Sequence, residues 1–467
     1  MKNIAKRLLS FTLCLIMLFS FFACEITTDT ESVEIPHANA KPLEKPEEKP
    51  EEKPEPSTSL IDDSMFIKAE AELLKTAAGD TVYLRGVNVS SFVTENWMLK
   101  IVKETVAEDG TTSRTYDRLI TETWLERFGL EKTKALWEEY RRNYFSDTDF
   151  QLLKDMGVNC IRLPITYMTV DLESVYDYNL AAYDYDFSAV DAFIEKAASY
   201  GIYTILDLHG AYGSQNGADH SGEFKDPKDI DFYYNEEMMQ LTVDLWRAMA
   251  EHYKGNPAIA AYDILNEPAE HKVGGGTMTT TTRHWKFMDR LYDAIREVDK
   301  DHVVIFESCW GANNLPMPSE YGWENCMYSF HHYTNKYGTD PTAHNNSVTS
   351  KINEIKNKNF GIPIHMGEFT CYDNKEQWEF TLNALNENGI HWNNWTYKLH
   401  RHDERMRFWG YVNVTAEYDL IDIYNDSYEE IFAALSLLKT GEGTTKIPTF
   451  SDGTSFHEVI KKYASAE

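Results

Sequence analysis

The sequence predicts an α/β chain closed into a (β/α)8 TIM barrel. Eight short β-rich runs recur along it, and amphipathic helical stretches alternate with them. The runs are almost continuously apolar, as strands buried on both faces of an all-parallel sheet must be. None is followed by a G-x-G-x-x-G turn, which argues against an open doubly wound sheet around a dinucleotide.

Taken in order, residues 1–24 read MKNIAKRLLSFTLCLIMLFSFFAC. Lys2, Lys6 and Arg7 precede an apolar stretch from Leu8 to Ala23, the build of an export signal. At about 16 residues it is short for a spanning helix, which needs about 20. The end of the stretch resembles a bacterial lipoprotein signal, which implies lipidation of Cys24 and attachment to a membrane or cell surface through that lipid alone. The alternative is an ordinary cleaved signal and a secreted chain, although no A-x-A site is present. Residues 25–61 form the expected tether, dominated by KPLEKPEEKPEEKPEP at 41–56. Proline at this density excludes helix and strand, and its 16 residues would span roughly 50 Å in polyproline form.

The barrel domain is expected over 62–467. Its strands are read as VYLRGVN, VNCIRLPI, IYTILDLH, AIAAYDILNE, HVVIFES, CMYSFHHY, IPIHMGEF and IHWNNWTY. Helices precede them with legible faces and stops: Ser146 as N-cap with Leu153, Met156 and Gly157; Val190, Phe193, Ile194 and Ala197 before Gly201; Met239, Val243, Trp246 and Tyr253 before Gly255. SFHEVIKKYASAE reads as a closing helix.

The chain carries 45 basic and 75 acidic residues, a net charge of −30. The spacer contributes four Lys and six Glu, so the acidity belongs to the folded part. Such a field repels nucleic acid and suits a neutral substrate. Outside the signal the cysteines are Cys160, Cys309, Cys326 and Cys371, with no C-x-x-C pair, so no zinc site is expected and a disulfide stays open.

Barrel active sites form at the C-terminal strand ends. Those ends here carry Arg162, His209, Asn266 and Glu267, Glu307, His331 and Tyr333, Glu368, and Trp395. Glu267 and Glu368 end strands four and seven, across the barrel from one another. Two facing carboxylates are what cleavage of a glycosidic bond needs: one protonates the leaving oxygen, and the other attacks the anomeric carbon or activates water. The acid needs a carboxyl raised to about 6. Asn266 is placed to read a sugar 2-hydroxyl, while Arg162 and Tyr333 are placed to hold Glu368 ionised. His331 and Tyr333 share a strand face, which turns His332 to the wall. For Glu307 a role in strand packing stands beside a role in the site.

Taken together in their chain order, IRLPI, LDLHG, ILNEP, HHY, MGEF and WTYK resemble the cellulase family, glycoside hydrolase family 5, over roughly residues 62–467. The resemblance implies a retaining β-glucanase without metal or other cofactor. Its acid/base would be Glu267 and its nucleophile Glu368, with Arg162, His209, Asn266, His331, Tyr333 and Trp395 around the sugar.

Aromatic side chains favour stacking on flat sugar faces. The candidates are Trp395 first, Trp310 next, then Trp97, Tyr212 and Trp323. HGAYGSQNGADHSG is similar to a loop of the family's β-1,3-glucanase branch, whereas MGEFT is closer to its cellulase branches. An insert at about 95–140 either walls off one end of the cleft or borders an open groove. The expectation is a monomeric β-glucan hydrolase, an endo-β-1,4-glucanase ahead of an exo- or endo-acting β-1,3-glucan hydrolase. Mannan and xyloglucan stay open, and the reading of another class is a catalytically silent carbohydrate-binding lipoprotein.

Overall fold

The computed structural model describes residues 59–465 apart from 95, 107–111, 176–184, 272–281, 309–310, 335–339, 401–403 and 417–418. The expected signal, the spacer and Cys24 lie outside the described residues, as do Cys309 and Trp310.

Each of the eight apolar runs becomes a barrel strand. These are β1 (Arg85–Asn88), β2 (Cys160–Thr166), β3 (Tyr203–Gly210), β4 (Ile259–Asp263), β5 (Val303–Glu307), β6 (Cys326–Tyr333), β7 (Ile364–Thr370) and β8 (His391–Asn394). They close in chain order, every neighbouring pair parallel, with β8 back on β1 through Asn393 opposite Gly86. Every residue of β2 and β3 is buried, which is why those segments lack alternating polarity.

The helices follow the predicted faces. Ser146 and Asp149 form a capping box on Asp147–Asp155, and Gly157 turns the chain at φ 73° into β2. Val190, Ile194 and Ala197 are buried on Ser188–Ser199, and Met239, Val243, Trp246 and Tyr253 on Glu236–Tyr253. The terminal helix Phe456–Ala464 packs on Lys375–Glu387. No helix among the described residues is long and apolar enough to cross a membrane.

Two additions frame the barrel. A three-stranded antiparallel sheet, starting at Ile67, packs near the beginnings of β5 and β6, with Phe66 against His302 and Ala69 N–H on Asn325. The insert after β1 carries helices Asp117–Phe128 and Leu130–Tyr144 and is joined to the segment after β8. Val102 bridges Ile421, Arg127 donates to the carbonyls of Ile423 and Asp426, and helix Tyr428–Ser436 lies on Leu130–Tyr144. Beneath this junction Lys398 is fully buried and donates to the carbonyls of Asn143, Tyr144 and Leu438.

Candidate active site

Arg162 is the centre around which the strand ends converge. It has no solvent exposure, and its guanidinium reaches four carboxylates: Asp263 at 2.8 Å, Glu307 at 2.6 Å, Glu368 at 3.0 Å and Asp207 at 3.1 Å. It also donates to Oδ1 of Asn88 at 3.0 Å and of Asn266 at 2.9 Å. The parallel register makes this possible, since Asp207 stands opposite Asp263 and both face inward with Arg162. Burial opposes the arginine's charge, but the carboxylates hold its proton above the usual range. Burial pushes Asp263 well above ordinary carboxylates, helped by Glu307.

Strand four answers a problem of geometry. Consecutive residues of an extended chain face opposite ways, yet Asn266 and Glu267, just past the end of β4, both enter the site. Glu267 does so through a left-handed backbone at φ 41°, costly for a residue with a Cβ. Side chains hold that turn from both ends: Glu267 N–H donates to Oε2 of Glu307 at 2.7 Å, and Asn216 Nδ2 donates to the Glu267 carbonyl at 3.2 Å. Glu307 thus belongs to the site as a brace.

An oxygen of Glu267 and one of Glu368 lie within 4.8 Å of each other, with His331 between them. His331 Nδ1 stands 3.0 Å from Glu267 and 3.4 Å from Glu368, while Nε2 is 3.3 Å from Glu307. Tyr333 donates to Oε2 of Glu368 at 2.6 Å, while Arg162 takes Oε1. Gly367 keeps this corner open, because a Cβ there would fall 2.4 Å from Ser329 Oγ and 3.2 Å from the His331 ring. His332 turns outward to Ser347 at 3.3 Å. Asp207, Asp263 and Glu307 form a second trio with atoms within 4.8 Å, and there the neighbouring cation is Arg162.

The expected raised carboxyl at Glu267 is not what this arrangement gives. Burial pushes its pKa up, but the hydrogen bond from His331 and the charges of His220 and His331 bring it down to about 2. The sequence reading placed His331 in the site but missed His220, which reaches Glu267 from the loop after β3. Burial lowers His331, yet Glu307, Glu368 and Glu267 raise it well above an ordinary imidazole.

His209 stacks on Trp395 at 5.5 Å between ring centres, and its Nδ1 meets Asp207 at 2.7 Å. Its Nε2 is 3.4 Å from Asn266 Nδ2, the nitrogen left after Arg162 has taken Oδ1. Trp395 is buried, and its N–H points to Met98 of the insert at 3.3 Å. Trp409, which the sequence reading did not single out, stacks on Tyr333, stands edge-on to Tyr372 and meets Trp97 at 6.0 Å. Trp97 is 37% exposed and so belongs to the rim.

Two candidate aromatics are not sugar platforms. Tyr212 is buried with its hydroxyl on Asp171, and Trp323 is buried against Phe306 with its N–H on Asp289. Cys160, Cys326 and Cys371 are separate buried thiols.

The model of one family, Cellulase (glycosyl hydrolase family 5), matches residues 121–401. A Phanerodontia chrysosporium protein named Beta-xylosidase is 28% identical over 329 residues, 64% of this chain and 64% of its own. A Probable glucan 1,3-beta-glucosidase A of Aspergillus fumigatus is 29% identical over 252 residues, covering 54% of this chain and 55% of its own. The chain thus spans between half and two-thirds of the length of these relatives. A solved endogalactoceramidase has the same fold, with a TM-score of 0.51 at 17% identity over 85% of this chain and 84% of its own.

Proposed function

The chain belongs to the cellulase family, glycosyl hydrolase family 5, and is a glycoside hydrolase; on that premise we propose that it cleaves β-glucan with retention, Glu267 serving as acid/base and Glu368 as nucleophile. The observation that carries this reading is the approach of the two carboxylates within 4.8 Å. Retaining enzymes hold the pair about 5–5.5 Å apart, whereas inverting ones need about 6.5–9.5 Å to admit a water. Glu368 has both oxygens engaged by Arg162 and Tyr333, which suits a nucleophile held in one orientation. Glu267 is the more exposed of the two, at 36% of its side chain against 6%, which suits a group that meets a leaving oxygen. Asn266 Nδ2 is the donor for the 2-hydroxyl.

For the linkage, an exo-acting β-1,3-glucan hydrolase is favoured. Its support is the rim, where the insert sets Met98 against Trp395 and Trp97 against Trp409. The relatives named as glucan 1,3-β-glucosidases and the loop HGAYGSQNGADHSG agree with it. The endo-β-1,4-glucanase is the second reading, resting on MGEFT. The N-terminal signal and spacer support export with a lipid on Cys24, which mass spectrometry of the membrane-bound protein tests.

The experiment is product analysis on laminarin, carboxymethylcellulose, mixed-linkage glucan, mannan and xyloglucan for the wild type beside Glu368→Gln. Monosaccharide from laminarin at nearly constant viscosity, absent in the variant, is expected. Rapid viscosity loss on carboxymethylcellulose would favour the second reading, and equal activity in both proteins would remove Glu368 from its role.

A further inference from the structure

The loop after β3 grips the chain just past β4 with two consecutive amides. Gln215 Nε2 donates to the carbonyl of Asn266 at 2.8 Å, and Asn216 Nδ2 donates to the carbonyl of Glu267 at 3.2 Å. Gln215 has no solvent exposure, and the whole of its amide is used. Nε2 gives its second hydrogen to the carbonyl of His209 at 2.8 Å, while Oε1 accepts from Ala211 N–H at 3.0 Å. Two carbonyls at one end and an N–H at the other leave the amide a single orientation. The loop that presents it is tied locally: Ser214 turns at φ 58°, and its Oγ accepts from Gly217 N–H at 3.0 Å.

The carbonyl that Gln215 holds is the oxygen edge of the peptide joining Asn266 to Glu267. Glu307 holds the opposite edge, since Glu267 N–H donates to its Oε2 at 2.7 Å. With both edges held, the plane of that peptide is fixed, and Glu267 leaves it at its left-handed φ of 41°. A residue with a Cβ keeps such a conformation only where its surroundings over-determine it. The Asn266 side chain has an anchor of its own, because Arg162 donates to its Oδ1 at 2.9 Å. The direction that the held plane decides is therefore that of Glu267.

We propose that Gln215 is a positioning residue for the acid step: buried away from the substrate, it holds the Asn266 carbonyl and so keeps Glu267 in the left-handed turn that brings its carboxyl opposite Glu368. The proposal rests on the reading of Glu267 as acid/base. In that step a proton passes from the Glu267 carboxyl to the glycosidic oxygen as the bond from that oxygen to the anomeric carbon breaks. Such a transfer needs a short, aligned contact, and a misplacement of about 1 Å can cost about 100-fold. Glu368 is held instead by Arg162 and Tyr333, neither of which hydrogen-bonds to Gln215. Loosening Gln215 should thus disturb the acid and spare the nucleophile.

The test compares Gln215→Met, which matches the length and makes none of the three hydrogen bonds, and Gln215→Glu, whose carboxylic acid form accepts from Ala211 and donates to one carbonyl, with wild type and Glu267→Ala. Each is assayed on a phenyl and a 2,4-dinitrophenyl β-glycoside of the glycone the wild type turns over, the second leaving without a proton. Gln215→Met is expected to lose about tenfold to 100-fold in kcat/KM on the phenyl glycoside and less than about threefold on the dinitrophenyl one. Gln215→Glu is expected to restore part of the phenyl activity. Retained dinitrophenyl activity reports a folded variant, and should Gln215→Met not fold, Gln215→Glu carries the same comparison. An equal loss on both substrates, or none on either, overturns the proposal. If Glu267→Ala discriminates between the leaving groups and the Gln215 variants do not, only the role of Gln215 is lost; if Glu267→Ala does not, the acid assignment falls and takes this role with it.

Discussion

The hydroxyl of Tyr333 stands 2.6 Å from Oε2 of Glu368, on the oxygen that Arg162 leaves free. One carboxylate is thereby held by a phenol on one side and a guanidinium on the other, and its rotamer is fixed before any substrate enters. Tyr333 itself is set by the Trp409 ring at 5.9 Å.

Tyr333→Phe keeps that stacking and removes one hydrogen bond to a charged group, worth about 1.5–3 kcal/mol. The expected result is a fall in kcat/KM of about 10- to 150-fold, with the melting temperature little changed. Steady-state kinetics beside a thermal melt checks both, and unaltered kinetics would detach Tyr333 from the chemistry.

Replacing Arg162 should damage the fold as well as the site. Arg162→Gln leaves Asp207, Asp263, Glu307 and Glu368 around a buried point without its cation, a loss of about 3–5 kcal/mol. Arg162→Lys keeps the charge but not the fork, and is expected to recover little. Denaturant midpoints of the two variants decide this.

Asp263→Asn is expected to raise stability. Burial pushes the Asp263 carboxyl above its unfolded value of about 3.9, Glu307 adds to the rise and Arg162 opposes it. A group raised on folding gives stability that is present below the unfolded pKa and is lost as pH rises through the folded one. An uncharged amide escapes that loss, so the variant should melt higher than wild type at pH 8 and gain nothing at pH 4. A lower midpoint at pH 8 would count against the raised carboxyl.

His331 has the same sign for a different reason. Burial lowers its pKa, but Glu307 and Glu368 lift it well above the usual imidazole value of about 6.5. Its stabilisation is full below about 6.5 and fades as pH rises through the folded pKa. His331→Gln should therefore lose less stability than wild type between pH 7 and 10. Parallel melting curves over that range would contradict the three-carboxylate cage.

Trp97→Ala trims an exposed ring standing edge-on to Trp409. Stability should stay within about 0.5 kcal/mol, the usual range for a surface change. KM should rise several-fold with kcat nearly constant if Trp97 borders the sugar, and an unchanged KM would place it outside the cleft.

The sequence carried most of the architecture, because a strand buried on both faces leaves a continuous apolar run, and all eight runs became strands. Glu267, Glu368, Arg162, His331 and Tyr333 were legible as polar residues at the ends of such runs. Asp207 and Asp263 were not: they lie inside the apolar runs of the sequence, and only the β3–β4 register shows that they share one guanidinium. His220 and Asn216 sit in a glycine-rich loop whose path no periodicity records, although both appear in the stretch HGAYGSQNGADHSG. Trp409 comes from beyond β8, where the alternation of strand and helix has ended. Tyr212 misled for a local reason, since a tyrosine in a loop looks available until its hydroxyl is seen on a buried aspartate.

The junction between the insert and the segment after β8 bears on how such a cleft can be rebuilt. Ile421 lies in register with Val102, and Arg127 ends on carbonyls almost 300 positions downstream. Anyone grafting a new specificity onto this scaffold by exchanging the insert alone would strand three backbone acceptors and the Lys398 ammonium beneath them. The transplantable unit is the pair of segments, and a chimera that moves both should inherit the donor's cleft shape as one piece.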